Sequence, residues 1–232
     1  MIEIGGIQKT SLLDYPDKVC CTIFTKSCNL RCPFCHNASL VLKTEETPLL
    51  SEQEIFTFLE KRKGILDGVC ITGGEPLLQK EIGDFLYKIK SMGYLVKLDT
   101  NGTFPEKLKE LVKENLIDYV AMDIKNAKQR YGETIGIPNF DISGIEKSVA
   151  FLMENEVAYE FRTTLVREFH TEKEIKEIGK WIRGAKKYFL QAFENSGMLI
   201  NPNLHEIEPK KMKEFKKILL DCSTNVELRG VR

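Results

Sequence analysis

No stretch of this sequence is apolar for long enough to cross a bilayer, which takes about 20 consecutive apolar residues in a helix. The opening residues, Met1-Ile2-Glu3-Ile4-Gly5, lack the basic segment and apolar core of an export signal, so a cytoplasmic protein with no membrane partner is expected. Net charge is also missing. Lys and Arg number 34 and Asp and Glu 34, with a pI of about 6.8, so no basic footprint argues for a nucleic-acid partner. There is no repeat, no low-complexity tract and no linker. The expectation is one domain over 1–232, with a leading loop or hairpin at 5–18, a body at 19–193 and an extension at 194–232.

Cysteine is present in an odd count of seven, unevenly placed. Cys20, Cys21 and Cys70 sit inside apolar β-like runs and Cys222 ends a helical stretch, where a free thiol behaves as a small hydrophobe. A reduced protein is expected. The other three stand together as Cys28-Asn29-Leu30-Arg31-Cys32-Pro33-Phe34-Cys35-His36-Asn37, a C-x3-C-x2-C spacing directly after the apolar run 19–25. Thiolates are soft ligands, and a loop carrying three can wrap one face of an iron–sulfur cluster while leaving one iron open. Two other readings share these residues. A structural zinc site needs a fourth ligand, and His36 adjoins Cys35 too closely for usual ligand spacing. Cys32-Pro33-Phe34-Cys35-His36 also spells a C-x-x-C-H haem-attachment pattern, which belongs to exported proteins.

From residue 19 the chain alternates. Apolar runs at 19–25, 68–72, 94–100, 118–124, 157–166 and 187–193 are β-branched, aromatic and nearly continuous, as buried parallel strands are. Between them lie helical stripes. Ser51-x-x-Glu54, Ser143-x-x-Glu146 and Thr171-x-x-Glu174 have capping-box spacing, and Pro105 suits a first helical turn. A last helix over 209–221 buries Met212, Phe215 and Leu219, and 226–228 adds a strand. The fold class is α/β, with parallel strands in six β-α units that allow a doubly wound sheet or a barrel. Polar residues gather where those strands end: the cysteine loop, Gly73-Gly74-Glu75, Asp99-Thr100-Asn101-Gly102, Asp123-Ile124-Lys125, Arg162 and Gln191. In a β/α barrel, chemistry collects at that end.

The C-x3-C-x2-C loop, paired with Gly73-Gly74-Glu75 after the second strand, resembles the radical S-adenosylmethionine (SAM) enzymes. Gly5-Gly6-Ile7-Gln8-Lys9-Thr10-Ser11-Leu12-Leu13-Asp14-Tyr15-Pro16, Cys35-His36-Asn37, Asp99-Thr100-Asn101-Gly102 and Asp123-x-Lys125 resemble more narrowly the activating enzymes of glycyl-radical proteins, most of all activators of anaerobic ribonucleoside-triphosphate reductase. The likeness runs from Gly5 to about Pro202. Two departures stand out: Asp17 follows the first Asp-x-Pro where glycine is usual, and no histidine lies near Gln191–Phe193.

The resemblance implies a partial (β/α)6 TIM-like barrel and one [4Fe–4S] cluster on Cys28, Cys32 and Cys35, without a further-cluster insertion, since no cysteine lies between Cys35 and Gly73. It implies SAM contacts from Phe34, Asn37, Gly73, Gly74, Glu75, Asp99, Thr100, Asp123, Lys125, Arg162 and Gln191. A monovalent cation is implied beside SAM on Asp99, Thr100, Asp123 and the Ala121 carbonyl. The implied reaction is one-electron cleavage of SAM to methionine and a 5′-deoxyadenosyl radical, which takes hydrogen from a glycine α-carbon of a partner glycyl-radical enzyme. A low-potential donor such as flavodoxin or ferredoxin would supply the electron, and no side chain need act as acid or base. Alternatives are a radical SAM enzyme acting on a small molecule, as 7-carboxy-7-deazaguanine synthases do, and a zinc-stabilised interaction module without catalysis. Segments 5–18 and 194–208, with Lys26-Ser27, are expected to rim the barrel opening.

Overall fold

The computed structural model of the chain describes residues 1–197, 199–221 and 225–231. Cys222, expected as a buried thiol, lies outside the described residues. All strands join one open sheet in chain order: β1 (Ile4–Ser11), β2 (Cys20–Thr25), β3 (Gly68–Gly73), β4 (Leu95–Thr100), β5 (Tyr119–Asp123), β6 (Ala158–Leu165), β7 (Tyr188–Ala192) and β8 (Val226–Arg229). β1 runs antiparallel to β2, and every later pair is parallel. This is the expected partial barrel, curled but unclosed, since β1 and β8 stand at opposite ends of the strand order.

Helices cover the outer face: α1 (Ala38–Leu42) and α2 (Glu52–Glu60) after β2, α3 (Ile82–Ser91) after β3, α4 (Pro105–Lys113) after β4, α5 (Tyr131–Thr134) and α6 (Ser143–Met153) after β5, α7 (Glu172–Trp181) after β6 and α8 (Pro209–Asp221) after β7. The capping boxes on Ser51 and Thr171 form as expected. The one on Ser143 does not. Ser143 is already helical there, and Asp141, two residues earlier, takes its N–H at 2.9 Å and its hydroxyl at 2.8 Å. The nearer carboxylate out-competes Glu146, which pairs with Lys128.

Successive strand residues face opposite ways, so each strand serves two environments. Ile23, Ile71, Val96, Leu98, Val120, Met122, Phe161 and Leu190 are fully buried towards the helices and make the main core. The barrel interior is polar above a small floor of Tyr15, Cys20, Cys70 and Tyr119. Tyr15 belongs to the 12–18 turn, and Asp14 accepts the Thr22 hydroxyl at 2.7 Å. That turn therefore seals the amino-terminal end of the barrel and does not rim its mouth. The segment 5–18, read as a loop or hairpin, is expected at the rim, but β1 carries the chain down the barrel's full height. The other two segments stand nearer the cysteine loop. His36 Nε2 donates to the Glu194 carbonyl at 2.8 Å and the Asn201 N–H to the Pro33 carbonyl at 2.8 Å, while buried Lys26 donates to Thr44 at 2.5 Å.

Candidate functional site

The carboxyl ends of β2 to β6 open into one cavity lined by Cys28, Cys32 and Cys35 on one side and by Asp99, Asp123 and Arg162 on the other. Phe34, Asn37, Gly73, Gly74, Thr100 and Lys125 complete the set that the sequence pointed to. Glu75 and Gln191 do not line it. Glu75 lies wholly buried behind the wall, and Gln191 stands on β7, one strand beyond Thr164, with which it is in register.

The cysteine loop is held by backbone contacts. Gly73 (φ +120°) and Gly74 lie so close to β2 that an added Cβ would stand 2.3 Å from the Thr25 backbone at the first and 1.8 Å from the Ser27 carbonyl at the second. Only glycine permits that approach. The Gly74 N–H donates to Thr25 at 2.9 Å and the Glu75 N–H to Ser27 at 2.8 Å. Asn37 closes the far side of the loop by donating to the Gly73 carbonyl at 2.9 Å. Arg31 Nη1 donates to the Cys28 carbonyl at 2.6 Å and to that of Leu30 at 2.8 Å, which holds the intervening turn.

Burial pushes all three thiols up, Cys32 to about 12, so each is protonated until a metal displaces its proton. Among the described residues no three His, Cys, Asp or Glu side chains stand close enough to hold a single metal ion. Cys28 Sγ accepts two N–H groups, from Leu30 at 3.4 Å and from the Asn101 side chain at 3.8 Å.

Opposite the thiols runs a chain of five charges. Lys97 pairs with Asp99 Oδ1; Arg162 donates to Asp99 Oδ2 at 3.1 Å and to Asp123 Oδ1 at 3.0 Å; Lys125 donates to Asp123 Oδ2 at 2.8 Å. Burial opposes charge on both carboxyls, but Arg162 and the lysines outweigh it, keeping Asp99 below the usual range and Asp123 at about 2. Burial likewise works against the Lys125 ammonium, and Asp123 more than compensates, raising its pKa. Lys125 lies 5.8 Å over the Phe34 ring, joining the charges to the cysteine loop.

Glu75 ties the wall together from behind. It accepts the Leu77 N–H at 3.1 Å, the Thr100 hydroxyl at 2.8 Å and the Asn101 N–H at 2.7 Å. Burial lifts it to about 7 in spite of those donors. Sequence reasoning misses Lys97 and Thr164, and it counts Asn101 only within the Asp99-Thr100-Asn101-Gly102 segment without giving it a role. The period-two rule could have found Lys97, because a residue two before Asp99 on β4 shares its face.

This chain belongs to the radical SAM superfamily, whose model matches residues 22–182. A protein of Methanocaldococcus jannaschii, assigned by inference as a glycyl-radical enzyme activating enzyme, is 36% identical over 98% of this chain and 96% of its own. A 7-carboxy-7-deazaguanine synthase of Koribacter versatilis is 28% identical over 68% of this chain and 67% of its own. Among solved structures, a domain of the pyruvate-formate lyase-activating enzyme of Bacteroides vulgatus matches with TM-score 0.59 and 20% identity, over 70% of this chain and 99% of that one. SuiB of Streptococcus suis bound to S-adenosylmethionine matches with TM-score 0.70 and 14% identity, over 88% of this chain and 48% of that longer one. The two structures speak to the fold, which they share with this chain. No helix among the described residues is long and apolar enough to cross a membrane.

Proposed function

We propose that this chain is a radical SAM activating enzyme that generates the glycyl radical of a partner enzyme, anaerobic ribonucleoside-triphosphate reductase being the partner its opening segment favours. The observation that carries the reading is the 36% identity, over nearly the full length of both chains, with a protein assigned to that activity. The deazaguanine synthase likeness is weaker and covers two thirds of each chain.

In this reading Cys28, Cys32 and Cys35 hold a [4Fe–4S] cluster, and SAM occupies the cavity between the cysteine loop and the charge chain. Bound together, cluster and SAM supply one-electron chemistry that ends in removal of a hydrogen atom from the substrate. The residues of the chain bind, orient and shield. The half-buried backbone of Gly73 and Gly74 lines the cavity where the amino end of SAM would lie, while Arg162 and Lys125 offer positive charge to its carboxylate. Leu30 and Asn101 donate to Cys28 Sγ, and such bonds raise a cluster's potential. Glu75 supports the wall from behind without touching the ligand. Gln191 stands outside the cavity lining, on the strand beside Thr164. A flavodoxin- or ferredoxin-like donor supplies the electron.

The test is anaerobic. The reconstituted, reduced protein is incubated with SAM and purified anaerobic ribonucleoside-triphosphate reductase, and the partner is examined by electron paramagnetic resonance. A glycyl doublet that requires both SAM and this chain is expected. SAM cleavage with no glycyl signal on that reductase or on other glycyl-radical enzymes, but with formation of 7-carboxy-7-deazaguanine from a small-molecule precursor, would support the small-molecule alternative instead.

A further inference from the structure

The carboxylates that a monovalent cation would need are already neutralised by side chains. Asp99 gives one oxygen to Lys97 and the other to Arg162, and Asp123 gives one to Arg162 and the other to Lys125. The Thr100 hydroxyl donates to Glu75 at 2.8 Å and accepts the Gly102 N–H at 3.1 Å. Of the donor set expected for the cation, only the Ala121 carbonyl is left out of this account. The five side chains carry three positive charges against two negative ones. A metal ion would be a fourth cation beside two anions, so these residues do not fit one.

Lys97 is the unusual member. It is 2% exposed, and its ammonium stands above the barrel floor between Asp99 and Cys70, whose sulfur is 3.7 Å away. A buried ammonium is costly unless an anion faces it. Burial does work against its charge, yet the interaction with Asp99 outweighs that and keeps the lysine protonated. β4 places it two residues before Asp99, on the same face, so the strand itself fixes the pair.

We infer that Lys97 is a built-in cation: its ammonium neutralises Asp99 in the way a bound monovalent metal would, so this chain orders the SAM side of its cavity without potassium or sodium. The inference rests on the radical SAM reading for what the cavity binds, but not for the charge pairing itself. A merely structural salt bridge would also lose stability on mutation. It would not acquire a response to one small cation over a large one.

The test compares potassium, sodium and choline chlorides at equal ionic strength. Two quantities are read: SAM affinity of the reduced, reconstituted protein, from the change in its cluster signal, and the melting temperature of the full chain without cluster. In the wild type both should be the same in all three salts, affinity to within about twofold, a difference of less than 1 kcal/mol. Lys97→Met should melt about 6–20 °C lower in choline and recover much of that loss, together with SAM affinity, in potassium or sodium. A saturable gain by the wild type from potassium or sodium over choline would overturn the inference, as would a folded Lys97→Met that treats the three salts alike. If Lys97→Met does not fold, the wild-type comparison still decides. A protein that holds no cluster and leaves SAM intact in every salt would instead indict the proposed function, while the melting measurement would still report on Lys97.

Discussion

Glu75 accepts the main-chain N–H of Asn101 at 2.7 Å, joining two strand ends that lie 26 residues apart in sequence. Its folded pKa is raised to about 7 from 4.5, so between about pH 4.5 and 7 the native state holds a proton that the unfolded chain has released. Stability from this group therefore falls as pH rises through that window, by about 1.4 kcal/mol per unit. Glu75→Gln removes the titration. Denaturant unfolding should show wild type losing about 2–3 kcal/mol relative to the variant between pH 5 and 7; parallel stability curves would contradict this.

Arg162 faces the reverse situation. Among the described residues it alone bridges both carboxylates, and Arg162→Gln leaves each with a single lysine. Removing one partner from a buried ionic set costs about 3–5 kcal/mol, or about 6–20 °C in melting temperature at this chain length. SAM affinity should fall as well, since the cavity loses a fixed positive charge. Calorimetric scans and binding titrations check the two effects separately.

Acid should undo the same set. Asp123, held at about 2, contributes stability that is fully present above its unfolded value near pH 4 and is lost as pH falls towards 2. Asp123→Asn should be less stable than wild type at pH 6, and the gap should close on acidification. A gap that stays constant from pH 6 to pH 2.5 would show that the ion pairs are not the cause.

Gly74→Ala asks the Ser27 carbonyl to accept a carbon at 1.8 Å, backbone against backbone, with no flexible side chain to yield. Overpacking of this kind costs about 3 kcal/mol or more. A melting temperature lower by about 6–12 °C, or insoluble expression, is expected. Gly93→Ala is the control, because nothing lies near its Cβ position although its φ of +91° adds local strain.

The barrel was legible because its strands are continuous apolar runs, and all six expected parallel strands form at nearly the expected bounds. β1 was half hidden. Gly5-Gly6 and polar Gln8-Lys9-Thr10 look like turn residues, and only the ladder with β2 makes them a strand. The cysteines were legible from spacing, and their shared cavity follows from where β2 ends. Two features were not. Lys97 sits in a run that reads as plain strand; its spacing from Asp99 puts both on one face, but that the ammonium pairs with Asp99 in the buried interior shows only in the fold. Glu75 adjoins two cavity glycines in sequence, yet the backbone turns its side chain away into Thr100 and Asn101.

The central claim is that Cys28, Cys32 and Cys35 hold a cluster that cleaves SAM. The most direct measurement reconstitutes the protein anaerobically with iron and sulfide, reduces it, and records the electron paramagnetic resonance spectrum with and without SAM while assaying 5′-deoxyadenosine. About four irons per chain, a reduced-cluster signal that shifts on adding SAM, and loss of both signal and product in Cys28→Ala, Cys32→Ala and Cys35→Ala are predicted. Tight zinc binding, no cluster signal and intact SAM would contradict the account.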